Sequence, residues 1–133
     1  MNIKNNLFSA AVSARKSAYA PYSKFSVGAA IFADNSQIYT GCNVENASFP
    51  CGTCAEAGAI ATMIVGGGTV IKEILIVADS QNLIVPCGAC LQRIAEFANN
   101  QTIIHLADLS GIKKSLTITE MLPYRFAEKE LKK

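Results

Sequence analysis

The chain has 133 residues, half of them hydrophobic and 17% charged, with a net charge of +2. That balance fits a folded chain rather than a disordered one, and the charge is too slight to argue for a nucleic-acid or membrane partner. No apolar run approaches the about 20 residues needed to cross a bilayer, while the apolar excess in so small a chain points to an oligomer interface.

Ile3, Leu7, Ala11, Ala14 and Ala18 fall on one face of a first helix. That helix is expected to end near Tyr19, because Pro21 biases Ala20 away from helical geometry. Lys4 followed by Leu7 to Ala14 faintly mimics an export signal. The apolar stretch is short and broken by serines, so a retained helix in a cytoplasmic protein is expected. Phe25 to Ala33 and Gln37 to Val44 read as strands, joined through Asp34-Asn35-Ser36 into a hairpin. Glu45 to Thr53 reads as loop.

Cys54 to Val65 reads as a buried helix stopped by Gly66-Gly67-Gly68. The three glycines follow a helix and lack a Lys-Ser/Thr partner, which argues against a phosphate loop. Val70 to Ala78 is the strongest strand. Cys87 to Ala98 is expected as a helix ended by Asn99-Asn100, with Thr102 to Ala107 and Ser115 to Ile118 as later strands. Thr119 is a candidate cap for a short helix before Pro123. A hairpin followed by alternating helices and strands, with no repeat or linker, gives one domain over residues 1–133: an α/β chain with a single mixed sheet covered by helices.

Four of the five cysteines form the pairs Cys51/Cys54 and Cys87/Cys90. Such pairs read as metal ligands or redox thiols inside a cell, and as disulfides in a short secreted chain. Neither pair has the sheet-and-helix context of a redox dithiol. The spacing between the pairs exceeds the about 15–20 residues common in compact structural zinc sites. Cys54 and Cys87 both stand at expected helix starts, where free N–H groups and the helix dipole favour thiolates. A closed site with four thiolates is one reading; three ligands with an open position is the other. Glu56, two residues after Cys54, favours the second, because a carboxylate there can take a proton from water and return it elsewhere. Cys42 reads as a packed strand residue, and His105, the only histidine, as structural.

The pattern Cys54-Ala55-Glu56 followed by Pro86-Cys87-Gly88-Ala89-Cys90 matches the signature of the zinc deaminases. The match extends further. Tyr19 to Ala30, reading YAPYSKFSVGAA, resembles the N-terminal substrate motif of the small homotetrameric cytidine deaminases. Gly41 to Ala47, reading GCNVENA, resembles that family's ribose-binding motif, and Leu122-Pro123 with Phe126 its C-terminal signature. The resemblance implies a three-layer α/β/α sandwich, one zinc per subunit and active sites built at subunit boundaries of a homotetramer. By motif, Cys54, Cys87 and Cys90 would bind zinc and Glu56 would carry the proton. Asn43 and Glu45 would hold the ribose hydroxyls, Phe25 would lie against the pyrimidine, and the Ala55 N–H would bind the ring carbonyl. Ala47 and Phe126 would come from neighbouring subunits. The implied reaction is hydrolytic deamination of cytidine and deoxycytidine, in pyrimidine salvage.

Three positions depart from that family's pattern. Ala57 and Leu91 stand where arginine is usual, and Phe49 where tyrosine is common. Zinc with three thiolates has excess negative charge, which works against acidifying a bound water unless a cation or dipole offsets it. Arg93 is the expected replacement, three residues after Cys90 on one helical stripe and leaning back toward the helix start. The alternatives are a deaminase of a modified cytosine nucleoside or nucleoside antibiotic, and a zinc-stabilised module without turnover.

Overall fold

The computed structural model describes residues 2–131. The first helix, α1, runs Ile3–Arg15 and starts at Asn2, whose side chain accepts from the Asn5 amide. It stops short of Tyr19. Beyond Arg15 the backbone tightens into successive bonds to the third residue back, and Tyr19 then pairs with the 43–45 segment through both its N–H and its C=O. That strand-like bridge takes the backbone groups a longer helix would need, so Ala18 lies outside the helix.

Strands β1 (Val27–Ala33) and β2 (Ile38–Cys42) form the expected antiparallel hairpin. Helix α2 (Ala55–Val65) follows, then β3 (Ile71–Ala78), α3 (Gly88–Glu96), β4 (Ala98–Asp108), β5 (Gly111–Thr117) and the short α4 (Ile118–Met121). Within the expected 45–53 loop, Phe49–Cys51 makes one 3₁₀ turn. The glycine stop holds: Gly66 caps α2 and Gly67 takes a positive φ of 94°.

Further boundaries differ from expectation: β5 starts at Gly111 rather than Ser115, and Ile118 opens α4 instead of closing the strand. Asn99-Asn100 does not end α3, which closes at Glu96. Phe97 and Ala98 already pair with Ile71, and residues 99–102 bulge before the ladder resumes at Glu73 and Ile103. The buried Thr102 hydroxyl holds that bulge by donating to the Ile71 carbonyl at 2.6 Å. Thr117, not Thr119, caps α4: it closes a reciprocal capping box with Glu120, and Thr119 sits inside the helix.

The sheet order is β2-β1-β3-β4-β5, with β3 and β4 parallel and every other pair antiparallel. The α3 crossover supplies the long connection that a parallel pair requires. Side chains alternate along the central strands, and both faces are apolar. Ala29, Ile31, Ile74, Ile76, Ile104 and Leu106 point toward α2, α3 and α4. Ala30, Leu75, Val77 and Ala107 point toward Leu7 and Ala11 of α1. The result is the expected three-layer arrangement of helices on both faces of one mixed sheet.

This topology places the two helix starts together. Because β1 is antiparallel to both β2 and β3, those two strands run the same way and end at the same edge of the sheet. Each leads through a loop into a helix, so α2 and α3 both begin there. Gly41 sets how closely α2 lies on β2: a Cβ there would stand 2.2 Å from the Ala59 nitrogen and 2.5 Å from the Ala55 carbonyl. His105 is fully buried and ties three strands together, with Nδ1 2.7 Å from the Ser115 hydroxyl and Nε2 2.7 Å from the Glu73 carboxylate. Its role is structural.

Gly41→Ala is expected to cost about 1–3 kcal/mol or more by overpacking against backbone, and to weaken metal binding at the start of α2 as well. Chemical denaturation and zinc titration of the variant check both. A second prediction concerns Asp34, which accepts from the Thr69 amide and hydroxyl and the Val70 amide. Those bonds, the Thr69 amide foremost, hold its carboxyl down from an ordinary 3.8 to about 2. A depressed carboxyl favours the fold above 3.8, and its contribution fades as the pH falls toward about 2. Asp34→Asn should therefore flatten the fall in thermal midpoint across that window relative to wild type.

Candidate zinc and active site

The chemistry collects where α2 and α3 begin. Cys54 is the N-cap of α2 and Cys87 the N-cap of α3, and neither thiol is used as a cap. Both sulfurs sit at the positive ends of their helices, and the Ala57 amide helps to lower the Cys54 thiol. Glu56, in the first turn of α2, is only 5% exposed. Cys90 lies one turn into α3 and is buried. A sulfur from Cys54, a sulfur from Cys90 and a carboxylate oxygen of Glu56 all lie within 4.8 Å of one another. Cys87 stands outside that group, exposed at the helix mouth, yet its charge bears on Cys90 and Arg93.

Each group in the cluster perturbs the others. Cys54 and Cys90 are 2.7 Å apart at sulfur. A hydrogen bond from the Cys90 thiol pulls the Cys54 thiol down to about 6. The same bond and burial push the Cys90 thiol up. Burial raises the Glu56 carboxyl above its ordinary value, with the Cys54 charge adding to the shift and the Cys90 thiol and Arg93 opposing it. Arg93, on α3, brings Nη1 to 3.8 Å from both sulfurs. Leu91, beside Cys90, is part of the core under the sheet, and Ala57 is half-buried. Soft thiolates with one carboxylate in a dry site form a donor set that suits zinc.

A cleft of about 550 Å³ opens beside this cluster, with Cys54, Thr53, Asn43, Glu45, Tyr22 and Phe49 among its walls. Asn43 is tied into the framework: its side-chain oxygen accepts from the Val27 amide at 2.8 Å, and its side-chain nitrogen donates to the Phe25 carbonyl at 2.8 Å. The Glu45 carboxylate accepts from the Tyr22 and Ser23 amides and from the Ser23 hydroxyl. Those bonds, the Ser23 hydroxyl first, hold it below its ordinary value. Tyr22 and Phe49 face each other across 6.1 Å.

Other expected residues are not among the cleft's walls. Phe25 is half-buried, and Ala47 is exposed on the 43–53 loop. Ala55 is buried as the first residue of α2. Phe126 lies beside α3, 58% exposed, with its carbonyl accepting from Gln92 at 2.7 Å. It borders a second, smaller cleft of about 250 Å³. Tyr22 and Ser23 belong to the Tyr19–Ala30 motif but had no individual role in the sequence reading, and Thr53 had none at all. The signal for Thr53 was its place just before Cys54.

A sheet flanked by helices, with thiols and a desolvated carboxylate gathered at two helix starts, defines a zinc-binding α/β protein. A family model described as the cytidine and deoxycytidylate deaminase zinc-binding region matches residues 1–106, and the chain belongs to that family. It is 42% identical over 118 residues to a cytidine deaminase of Sporosarcina psychrophila, covering 89% of this chain and 87% of that one. It is 37% identical over 125 residues to one from Halalkalibacterium halodurans, covering 94% and 95%. The crystal structure of cytidine deaminase from Burkholderia pseudomallei superposes with a TM-score of 0.88 at 35% identity, covering 95% of this chain and all of that one.

The double role of the Asn43 side chain yields a prediction. Asn43→Ala leaves the Val27 amide and the Phe25 carbonyl without their partner, at a cost of about 1–3 kcal/mol. A lower urea midpoint at unchanged slope would register it.

Proposed function

We propose that this chain, acting as a single domain, hydrolyses cytidine and deoxycytidine to uridine and deoxyuridine with release of ammonia. The observation that carries the reading is the buried Glu56 carboxylate within 4.8 Å of the Cys54 and Cys90 sulfurs. Cys54, Cys87 and Cys90 are the zinc ligands. Bound zinc supplies Lewis acidity that lowers the pKa of water near the reacting carbon.

Glu56 moves the protons. Burial raises its carboxyl above the ordinary value, the direction that suits a group which both accepts and returns a proton. It takes one from water, passes it to the ring nitrogen next to the reacting carbon, and serves again as the exocyclic amine leaves. The carbon–nitrogen bond breaks as a carbon–oxygen bond forms, so water enters, ammonia leaves and nothing is oxidised or reduced.

Substrate would enter the cleft beside Cys54. Asn43 and Glu45 hold the ribose hydroxyls, Phe25 backs the pyrimidine, and the Ala55 N–H at the start of α2 binds the ring carbonyl. Ala47 and Phe126 complete the pocket of neighbouring subunits in a homotetramer. The large apolar side chains left in solvent, Val65 at 91% exposure and Tyr124 at 98% among them, support burial between copies. The cellular role is pyrimidine salvage in the cytoplasm. No helix among the described residues is long and apolar enough to cross a membrane.

Turnover is followed by the ultraviolet change on cytidine, with protein whose zinc has been quantified. Glu56→Gln should keep its zinc and lose at least about 10²–10⁴-fold in rate. Stripping zinc with a chelator should abolish turnover, and returning it should restore the rate. Zinc-loaded wild type without turnover on either nucleoside, or Glu56→Gln at the wild-type rate, would overturn the reading.

A further inference from the structure

The acidic groups at this site outnumber the cations facing them. On the zinc assignment three cysteine sulfurs and a carboxylate would share one site; the Cys54 and Cys90 sulfurs and a Glu56 oxygen already lie within 4.8 Å of one another, and Cys54 and Cys90 stand on different helices. A divalent ion leaves that set net negative, which weakens the drive to acidify a water and leaves the sulfurs repelling one another. The residues next to the key acid and the last sulfur do nothing to offset this. Ala57 carries no charge, and the Leu91 side chain is committed to the core.

Arg93 is the cation whose charge bears on both Cys54 and Glu56. It reaches them from α3, one turn beyond Cys90, with a single terminal nitrogen 3.8 Å from the Cys54 sulfur on one helix start and 3.8 Å from the Cys90 sulfur on the other. The side chain is exposed on its outer side, so the contact with sulfur rather than burial fixes the guanidinium. A long flexible side chain resting between two sulfurs from separate elements does two things. It offsets their charge, and it holds their separation before a metal arrives.

We infer that Arg93 is the positioning residue of the zinc centre, balancing the thiolate charge from α3 and holding the Cys54 and Cys90 sulfurs in register as a pair. This rests on the assignment of Cys54, Cys87 and Cys90 to zinc. Arg93 acts through the ligands and does not touch substrate. Its loss should therefore appear in metal retention and kcat, with KM unchanged.

The experiment uses zinc-loaded wild-type protein, Arg93→Met and Arg93→Lys, each challenged with a chromophoric chelator and assayed on cytidine with zinc quantified. Methionine keeps an apolar stem without the charge; lysine restores charge at one point. Zinc affinity in Arg93→Met should fall about 10–100-fold, the usual range for partners of metal ligands. The circular dichroism spectrum should not change, and kcat should fall at constant KM in the zinc-saturated variant. Arg93→Lys should recover part of both losses. Zinc affinity in Arg93→Met equal to wild type would overturn the inference, as would a lysine variant no better than methionine. A wild type that binds no zinc at all would instead remove the ligand assignment beneath it.

Discussion

Thiolates and a carboxylate crowded into a dry site repel one another, and the rest of the structure is arranged around tolerating them. A buried charge is costly unless it is paired, solvated by dipoles or neutralised. Here the relief comes from backbone. Cys54 and Cys87 both stand at N-cap positions, so the positive ends of two helix dipoles lie beside the sulfurs. That arrangement needs two helices to begin at one place. The sheet supplies it, because β2 and β3 run the same way on either side of β1 and end at the same edge.

The apolar core fixes the geometry that chemistry then uses. Met63 and Ala59 of α2, Ile94 of α3 and Ile118 of α4 pack on the face formed by Ile31, Ile74 and Ile104. With those contacts in place, neither helix start can drift far from the other. Gly41 allows α2 to rest almost on the β2 backbone, and Leu91 draws α3 down beside Cys90. Leu91 is thus committed to packing at a position where a cation beside the last sulfur would otherwise stand. Arg93, on the neighbouring stripe of the same helix, reaches the sulfurs from outside the core.

The substrate side of the cleft shows a different economy of polar groups. Asn43 bonds to the backbone on either side of Ser26, and the Glu45 carboxylate gathers the amides of the Tyr22-Ser23 turn. These side chains therefore shape the loops of the cleft before any ligand arrives. Preorganisation of this kind lowers the entropy that binding must overcome. Phe126 borders a second, smaller cleft at the end of α3.

The chemical inventory was readable from the chain alone. Cys54, Glu56, Cys87 and Cys90 announce themselves by residue type and spacing, and the central strands by short, largely apolar runs, because those signals are local. Element ends were read less well where distant backbone competed. Tyr19 left its helix to pair with residues 43–45, and Ala98 left its helix to pair with Ile71. Local propensity carries no record of a partner many residues away. The same limit applied to the site. The helical spacing of Cys90 and Arg93 pointed to their sharing a stripe, but only the folded chain brings Arg93 to the Cys54 sulfur from another helix. Sequence determined which groups are present and which elements carry them. Tertiary structure decided which of those groups meet, because the meeting depends on the direction of β2 and β3 and on the packing that holds two helix starts together.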